Sequence, residues 1–239
     1  MIFGSLFSGV GGFDLGLERA GWECAFQVEI DPHRQSVLER HWPHVPRYGD
    51  IRTVDPAALP RVDLVCGGFP CEDISRVNGH ARAGLDGPKS GLWGDLHRIV
   101  RHLRPDYLLV ENSTSLLVRG MDRVLGDLAA CGYDAEWDCL PAAAFGAPHI
   151  RDRLYLLAYP REHGHRAPDE TLFAGWAQSQ LHGGWLPQPG VGRVVDGVRR
   201  GMDGGRRRRL AALGDAVVPQ VTEWLGRRIL ENAQKERAA

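Results

Sequence analysis

The chain has 239 residues and a formal net charge of −1, a length that suits one α/β domain or one domain with a small appendage. No apolar run approaches the roughly 20 residues that span a bilayer, and no basic residue precedes the apolar N-terminal stretch, so neither a transmembrane helix nor a signal peptide is expected. The five cysteines form no C-x-x-C pair, which disfavours a zinc site or a disulfide framework and favours a reducing, cytoplasmic setting.

The first thirty residues follow the order strand, glycine turn, helix, strand, acid. Residues 2–7 predict a strand, Gly21 ends the following helix, and residues 24–28 predict a second strand that ends at Glu29. The turn after the first strand contains Ser8, Gly9, Gly11 and Gly12. Glycines let a backbone approach a ligand closely, and an acid at this strand end can accept both ribose hydroxyls. The unit therefore indicates an adenosine-containing cofactor, with NAD and S-adenosylmethionine both open, or a structural unit without a ligand.

The next elements lead to a candidate nucleophile. Asp31 and Pro32 predict the start of a helix that runs to about His41, and Asp50 could place another carboxylate at a third strand end. Residues 62–66 predict a buried strand that ends at two glycines. Pro70 fixes its own φ, so Cys71 is expected on a stiff turn at the edge of the sheet. Cys71 is either a nucleophile or a buried structural cysteine.

Two further strand ends carry reactive side chains. Residues 75–90 form a candidate lid, residues 92–103 predict a helix, and a strand over residues 106–110 ends at Glu111. Residues 121–131 predict another helix, and residues 133–140 and 154–158 predict strands joined through Arg151 and Arg153. Thiol, carboxylate and guanidinium groups could attack, protonate and hold an electron-deficient ring. A structural ion pair between Glu111 and an arginine is the alternative.

The last third of the chain changes character. Residues 159–192 predict an irregular insert, and from Val217 a helical pattern returns to about Asn232, with the last residues frayed. Residues 1–158 carry a net charge of −5, whereas residues 159–209 carry +4. The positive excess is either a solvated arginine run or a surface that contacts phosphates.

Eight segments, in order, resemble the motifs of bacterial and phage cytosine-carbon-5 DNA methyltransferases. The first four are Phe7-Ser8-Gly9-Val10-Gly11-Gly12, Glu29-Ile30, Gly49-Asp50-Ile51 and Gly67-Gly68-Phe69-Pro70-Cys71. The last four are Lys89-Ser90-Gly91-Leu92-Trp93, Glu111-Asn112, His149-Ile150-Arg151-Asp152-Arg153 and Gly214-Asp215-Ala216-Val217-Val218-Pro219-Gln220. Each segment alone is a weak or moderate signal, whereas eight in this order are specific and cover nearly the whole chain.

The resemblance implies an α/β, Rossmann-like S-adenosylmethionine-dependent methyltransferase fold with a mixed sheet and a very small target-recognition insert. It implies a catalytic and cofactor-binding domain over residues 1–158, a small DNA-contacting region over residues 159–209, and a C-terminal helix over residues 210–239 that returns to the catalytic domain. The expected catalytic residues are Cys71, Glu111, Arg153 and Arg151. Cys71 would attack a flipped-out cytosine and Glu111 would contact ring nitrogen 3. Of the two arginines, Arg153 is the preferred candidate for contacting the exocyclic oxygen.

The resemblance also implies the binding residues. The expected cofactor-binding residues are Phe7, Ser8, Gly9, Gly11, Gly12, Glu29, Ile30, Asp50, Ile51, Pro70, Leu92, Asp215 and Val217. The expected nucleic-acid-binding residues are Ser75, Arg76, Lys89, His149, Arg193, Arg206, Arg207, Arg208 and Arg209. No metal is expected. The expected partner is double-stranded DNA, with a companion restriction endonuclease as a second candidate, and we expect a cytoplasmic monomer.

Four positions depart from the family pattern. Ser113 replaces a valine, His149 a glutamine, and Asp215 an asparagine, while Glu72 stands where glutamine is frequent. The insert is also short. Three functions therefore stay open: an active DNA methyltransferase, a module that holds cofactor and DNA without turnover, and an RNA methyltransferase like the tRNA-modifying branch of the family. An NAD oxidoreductase would give Cys71 and Arg153 no joint role.

Overall fold

A computed structural model of the protein describes residues 1–70, 91–163, 171–176, 212 and 214–238. The strands are β1 (Ile2–Leu6), β2 (Glu23–Val28), β3 (Arg47–Tyr48), β4 (Leu64–Gly67), β5 (Tyr107–Asn112), β6 (Tyr133–Pro141) and β7 (Asp152–Pro160). The α-helices are α1 (Gly12–Ala20), α2 (Pro32–His41), α3 (Leu92–Leu103), α4 (Met121–Ala130) and α5 (Pro219–Ala238). Short 3₁₀ helices cover Ile51–Thr53, Pro56–Ala58, Thr114–Val118, Ala142–Phe145 and Arg161–His163.

The described strands form one mixed sheet in the order β3-β2-β1-β4-β5-β7-β6. Strands β1 to β5 are parallel, and β7 runs antiparallel between β5 and β6. The expected α/β fold with a mixed sheet is confirmed. Because β7 is antiparallel, its first residues lie at the same edge as the last residues of β1, β2, β4 and β5. Open α/β sheets bind ligands at this edge.

Helices bury both faces of the sheet. On one face the core includes Leu96, Ile99 and Val100 of α3 with Val124 and Leu128 of α4. On the other face it includes Phe13 and Leu17 of α1 with Val221, Leu225 and Ile229 of α5. The described part of the insert, residues 171–176, packs on this second face through Leu172 and Phe173. Two-sided burial explains why β4 and β5 are continuous apolar runs up to Glu111.

Several predicted boundaries differ in the structure: for example, β4 covers residues 64–67 rather than 62–66, and β5 continues to Asn112. The predicted end of the C-terminal helix near Asn232 is wrong, since α5 continues to Ala238. Its last turns are held because the Tyr107 hydroxyl donates to Glu236 Oε2 at 2.8 Å. Strand β7 starts at Asp152 rather than residue 154, which places Arg153 within the sheet, and β1 ends one residue before Phe7. None of the described helices has the length and apolar character needed to cross a membrane.

Candidate active site

The glycine turn between β1 and α1 has a left-handed backbone at Phe7, Gly9 and Gly11, with φ values of 53°, 60° and 86°. Glycine adopts this conformation at little cost, whereas Phe7 does so against the usual preference of a bulky residue. The Gly9 N–H donates to Glu29 Oε2 at 2.8 Å, so the turn is joined to the end of β2. The turn therefore brings its backbone close to the predicted ribose-binding acid.

Glu29 is nearly buried at the end of β2. Its Oε1 accepts the Asp31 N–H at 2.8 Å, and its Oε2 accepts the Gly9 N–H. Burial raises the pKa of Glu29, and these two backbone hydrogen bonds oppose the rise. Each carboxylate oxygen has two lone pairs, so Glu29 keeps one acceptor position on each oxygen. The carboxylate can therefore also accept two neighbouring hydroxyls of a ribose.

A cavity of about 490 Å³ lies at this edge of the sheet. Eleven of the predicted cofactor residues line it: Phe7, Ser8, Gly9, Glu29, Ile30, Asp50, Ile51, Pro70, Leu92, Asp215 and Val217. Three residues that were predicted to be catalytic line the same cavity: Glu111, Arg151 and Arg153. The structure therefore brings these eleven residues and these three residues together in a single space.

Gly11 and Gly12 lie behind the cavity wall instead of lining it. A Cβ on Gly11 would meet the Trp42 ring at 2.4 Å, and a Cβ on Gly12 would meet the Val217 carbonyl oxygen at 2.3 Å. These glycines thus allow close packing of the turn on α2 and on the chain before α5. In the structure, Gly11 and Gly12 shape the cavity through this packing. The sequence pattern predicted that they contact the cofactor directly.

Asp50 follows β3 and is paired with Arg52. The Arg52 Nε and Nη2 atoms lie 2.9 Å from Oδ1 and 2.6 Å from Oδ2 of Asp50, and the Arg52 N–H donates to Oδ1 at 3.0 Å. The side-chain hydrogen bond from Arg52 is the main reason that the pKa of Asp50 is lowered. Asp50 is therefore an ionised acceptor at neutral pH, and its position on the cavity wall is set by Arg52.

Glu111 of β5 forms an ion pair with Arg153 of the neighbouring strand β7. Arg153 Nε lies 3.1 Å from Glu111 Oε1, and only 7% of Glu111 is exposed. Burial raises the pKa of Glu111 to about 7, although Arg153 and then Arg151 oppose the rise. The carboxyl group is therefore poised between its acid and base forms near neutral pH, which suits a group that exchanges protons with a substrate.

The turn after β4 packs directly on this pair. A Cβ on Gly68 would lie 2.9 Å from Glu111 Oε2, so a side chain there would collide with the carboxylate. The Asn112 amide donates to the Phe69 carbonyl oxygen at 3.0 Å. Glu111 and Asn112 thus hold the backbone that leads to Cys71. Sequence reasoning matched this glycine and this asparagine to motifs but did not find their contacts.

Arg151, which was predicted to be catalytic, hydrogen-bonds the backbone of residues 214–218. These residues are called here the C-terminal segment. Its Nη1 donates to the Gly214 carbonyl oxygen at 2.6 Å, and its Nη2 donates to that of Ala216 at 2.7 Å. Arg153, in contrast, uses Nε toward Glu111 and Nη1 toward its neighbour Asp152. The two arginines therefore have different tasks at the same cavity.

Arg34 of α2 is a cavity residue that the sequence did not single out. Its Nη2 lies 2.5 Å from Oδ2 of Asp215, which belongs to the C-terminal segment 181 residues further along the chain. Asp215 is the position where the family pattern has an asparagine. Because the partners are so distant in sequence, no local pattern could have revealed this ion pair.

Several predicted residues lie outside the described part of the chain: Cys71, Ser75, Arg76, Lys89, Arg193, Arg206, Arg207, Arg208 and Arg209. His149 is described and is exposed, and it is not among the residues that line the cavity. Within the described ranges, no group of three or more His, Cys, Asp or Glu side chains could hold a metal ion. The described site therefore consists of the cavity and the groups around Glu29 and Glu111.

Comparisons with known proteins agree with this arrangement. The sequence profile of a family described as C-5 cytosine-specific DNA methylase matches residues 1–180. The Type II methyltransferase M2.BsuMI of Bacillus subtilis is 36% identical over 162 residues, which cover 64% of this chain and 41% of that protein. The Type II methyltransferase M.HhaI of Haemophilus parahaemolyticus is 32% identical over 161 residues, which cover 66% of this chain and 48% of that protein. The chain thus spans less than half the length of either relative.

A comparison with solved structures supports the fold. The Dnmt2 methyltransferase of S. pombe matches with a TM-score of 0.59 and 21% identity, over 76% of this chain and 58% of that one. At this level of identity the match concerns the arrangement of strands and helices alone.

Proposed function

Since the chain belongs to the C-5 cytosine-specific DNA methylase family, we propose that it transfers the methyl group of S-adenosylmethionine to carbon 5 of a cytosine flipped out of DNA. The observation that carries this proposal is that one cavity is lined both by Glu29 and by the Glu111–Arg153 pair. A nucleoside cofactor held at Glu29 and a base held at Glu111 would share that cavity, as transfer between them requires.

The cavity residues fit the cofactor. When bound, S-adenosylmethionine would supply an electrophilic methyl group on a sulfonium sulfur. Glu29 has the free acceptor positions that two ribose hydroxyls need, and the ionised Asp50 could accept the amino group of adenine. Ile30 is a large apolar residue that is 60% exposed, and it lies on the cavity wall, where an adenine ring would cover it. Burying this side chain would favour binding.

Glu111 and Arg153 suit the recognition of cytosine. With a pKa of about 7, Glu111 can carry a proton at neutral pH and donate it toward ring nitrogen 3. Among the described residues, Arg153 Nη2 has no hydrogen-bond partner, so it remains able to donate to the exocyclic oxygen of the ring. Both contacts would stabilise the negative charge that develops on the ring when carbon 6 is attacked.

Cys71 would be the nucleophile. It directly follows Pro70, which lines the cavity. Its thiolate would form a bond to carbon 6, and the displaced electron pair would make carbon 5 nucleophilic. Carbon 5 would then form a bond to the methyl carbon while the methyl–sulfur bond breaks and its electrons stay on sulfur. Loss of the carbon-5 proton to a base and expulsion of the Cys71 thiolate would give 5-methylcytosine and free enzyme.

DNA would have to offer the base outside the helix. A cytosine stacked in a duplex is out of reach of a thiol, and flipping it costs a few kcal/mol. We assign target recognition to residues 159–209 and catalysis to residues 1–158, with phosphate contacts from residues 193–209 supplying much of the affinity. Double-stranded DNA is therefore the proposed substrate.

The test traps the covalent intermediate. The purified chain is incubated with tritiated S-adenosylmethionine and DNA of random sequence containing 5-fluorocytosine, and the products are separated on a denaturing gel. Fluorine blocks the final loss of the carbon-5 proton, so a working nucleophile stays attached to the labelled DNA. We expect a labelled protein–DNA adduct that disappears in Cys71→Ala.

The matched control is Cys66→Ala, which removes a thiol five residues earlier. Cys66 is fully buried in β4, and burial raises its pKa well above the ordinary value, so it should take no part and its variant should keep the adduct. Saturable cofactor binding without an adduct on DNA would identify a binding module. An adduct on 5-fluorocytosine RNA alone would identify an RNA methyltransferase, and absence of cofactor binding would refute the proposal altogether.

A further inference from the structure

The Arg34–Asp215 ion pair connects two walls of the cavity. Arg34 belongs to α2, which follows the ribose-binding acid, whereas Asp215 belongs to the C-terminal segment. Both side chains line the cavity, and they are 26% and 65% exposed. The pair therefore lies at the solvent-facing rim of the cavity, and it links the two walls between which a ligand would enter.

The position of Arg34 in α2 argues for a role outside its own helix. It lies in the first turn, where the helix dipole disfavours a positive charge. Asp31 already caps this end, since its Oδ1 accepts the N–H groups of His33 at 2.8 Å and Arg34 at 2.9 Å. The Arg34 guanidinium attracts the carboxylates of Glu29 and Asp31 nearby, and it forms its ion pair across the cavity with Asp215.

The remainder of the C-terminal segment is anchored elsewhere. Arg151 holds the carbonyl groups of Gly214 and Ala216, and the Val217 backbone packs where a Cβ of Gly12 would be. These contacts fix the segment from the catalytic side and from the glycine turn. The bond from Asp215 to Arg34 is the additional contact that reaches across the rim to α2.

We propose that Arg34 and Asp215 form a latch that controls how fast the cofactor enters and leaves the cavity. The inference rests on the proposed binding of S-adenosylmethionine in this cavity. The pair joins two walls at the rim of the cavity, and in this proposal it opens whenever the cofactor passes in either direction. Breaking the latch by Arg34→Gln should therefore raise the association and dissociation rates by the same factor and leave the dissociation constant within about twofold of its original value.

The expected factor is modest because the pair is partly solvated. An exposed ion pair contributes little free energy to the closed arrangement. Removing it should therefore increase both rates by only about two- to fivefold. Salt screens such pairs. The rates of the unmodified chain should therefore increase with salt toward those of Arg34→Gln, and the rates of that variant should depend less on salt.

The test measures exchange of tritiated S-adenosylmethionine by the full chain. A chase with unlabelled cofactor gives the dissociation rate, equilibrium dialysis gives the dissociation constant, and their ratio gives the association rate. The variant is Arg34→Gln, with Arg40→Gln as the control because it removes an exposed arginine from the last turn of the same helix. Melting temperatures report whether each variant is folded.

The latch predicts that Arg34→Gln accelerates both rates and that Arg40→Gln behaves as the unmodified chain. Unchanged rates in a folded Arg34→Gln variant would overturn the latch while leaving the proposed function intact. A change in one rate only would also overturn it, since that result indicates direct contact with the cofactor. No saturable binding by the unmodified chain would instead refute the proposed function.

Discussion

Replacing Gly16 by alanine should destabilise the protein, because α1 and α5 touch at this residue without room for a methyl group. A Cβ at Gly16 would lie 1.9 Å from Thr222 Oγ1 and 2.4 Å from the Pro219 carbonyl oxygen. Thr222 is fully buried, and its hydroxyl lies 3.2 Å from the Gly12 carbonyl oxygen and 3.0 Å from that of Pro219, between which its proton is shared. Relief of the clash therefore requires α5 to move away from α1.

The expected loss follows from two opposing effects. Alanine is favoured over glycine within a helix by about 1 kcal/mol. Added volume in a tightly packed core costs typically 1–3 kcal/mol and occasionally more. Here one of the colliding atoms is a backbone oxygen, which can move only together with its helix. The cost of added volume should therefore lie toward the upper end of this range. We expect a net decrease in the free energy of unfolding of about 1–2 kcal/mol, or a melting temperature lower by roughly 2–8 °C for a chain of this size.

Gly126→Ala in α4 is the matched control. A Cβ on Gly126 has no heavy atom within 4 Å, so the same substitution gains helix propensity without a clash. It should raise the free energy of unfolding by about 0.5–1 kcal/mol. Urea titrations and thermal melts of both variants measure the difference. A Gly16→Ala chain as stable as the Gly126→Ala chain would refute the packing argument.

Two predictions concern carboxyl groups. Burial raises the pKa of Asp14 from 3.8 to about 6, so its protonated form stabilises the fold below pH 3.8 and this contribution is lost as the pH rises to 6. Urea titrations across this range give the free energies of unfolding of the unmodified chain and of Asp14→Asn. The first value minus the second should fall by about 3 kcal/mol as the pH rises. A difference that stays constant would exclude the raised pKa of Asp14. Glu111→Gln should lower the methylation rate about 10²–10⁴-fold, because an amide cannot transfer the proton. Glu111 loses its proton near pH 7, so the rate of the unmodified chain divided by the rate of Glu111→Gln should decrease above that pH. A ratio that does not change with pH would contradict proton donation by Glu111.

Local chemistry explains why much of the fold could be predicted from the sequence. The helix over residues 92–103 has the predicted bounds, Gly21 ends α1 with a φ of 100°, and Asp31 caps α2. Each of these features depends on residues within one or two turns of each other. The acids at strand ends could be placed on one edge of a sheet for the same reason, since parallel strands end together.

The features that the sequence did not reveal depend on contacts between distant residues. The true end of α5 depends on the hydrogen bond between Tyr107 and Glu236, which are 129 residues apart. The task of Arg151 depends on carbonyl groups more than 60 residues away, which no motif spacing encodes. The cavity was predictable as a set of residues, whereas the bonds that hold its wall in place required the folded chain.

Helix α5 is joined to both ends of α1, so the packing of these helices and the rim of the cavity are mechanically connected. The Thr222 hydroxyl bonds the first residue of α1, and the Trp22 indole N–H, just after α1, donates to the Gly226 carbonyl oxygen at 3.0 Å. The C-terminal segment leads directly into α5, so displacing this helix should also displace Asp215 relative to Arg34. Gly16→Ala should therefore speed cofactor exchange as well as lower the melting temperature. A variant that melts earlier but exchanges cofactor at the original rate would show that the latch is held by Arg151 and the segment itself, independently of α5.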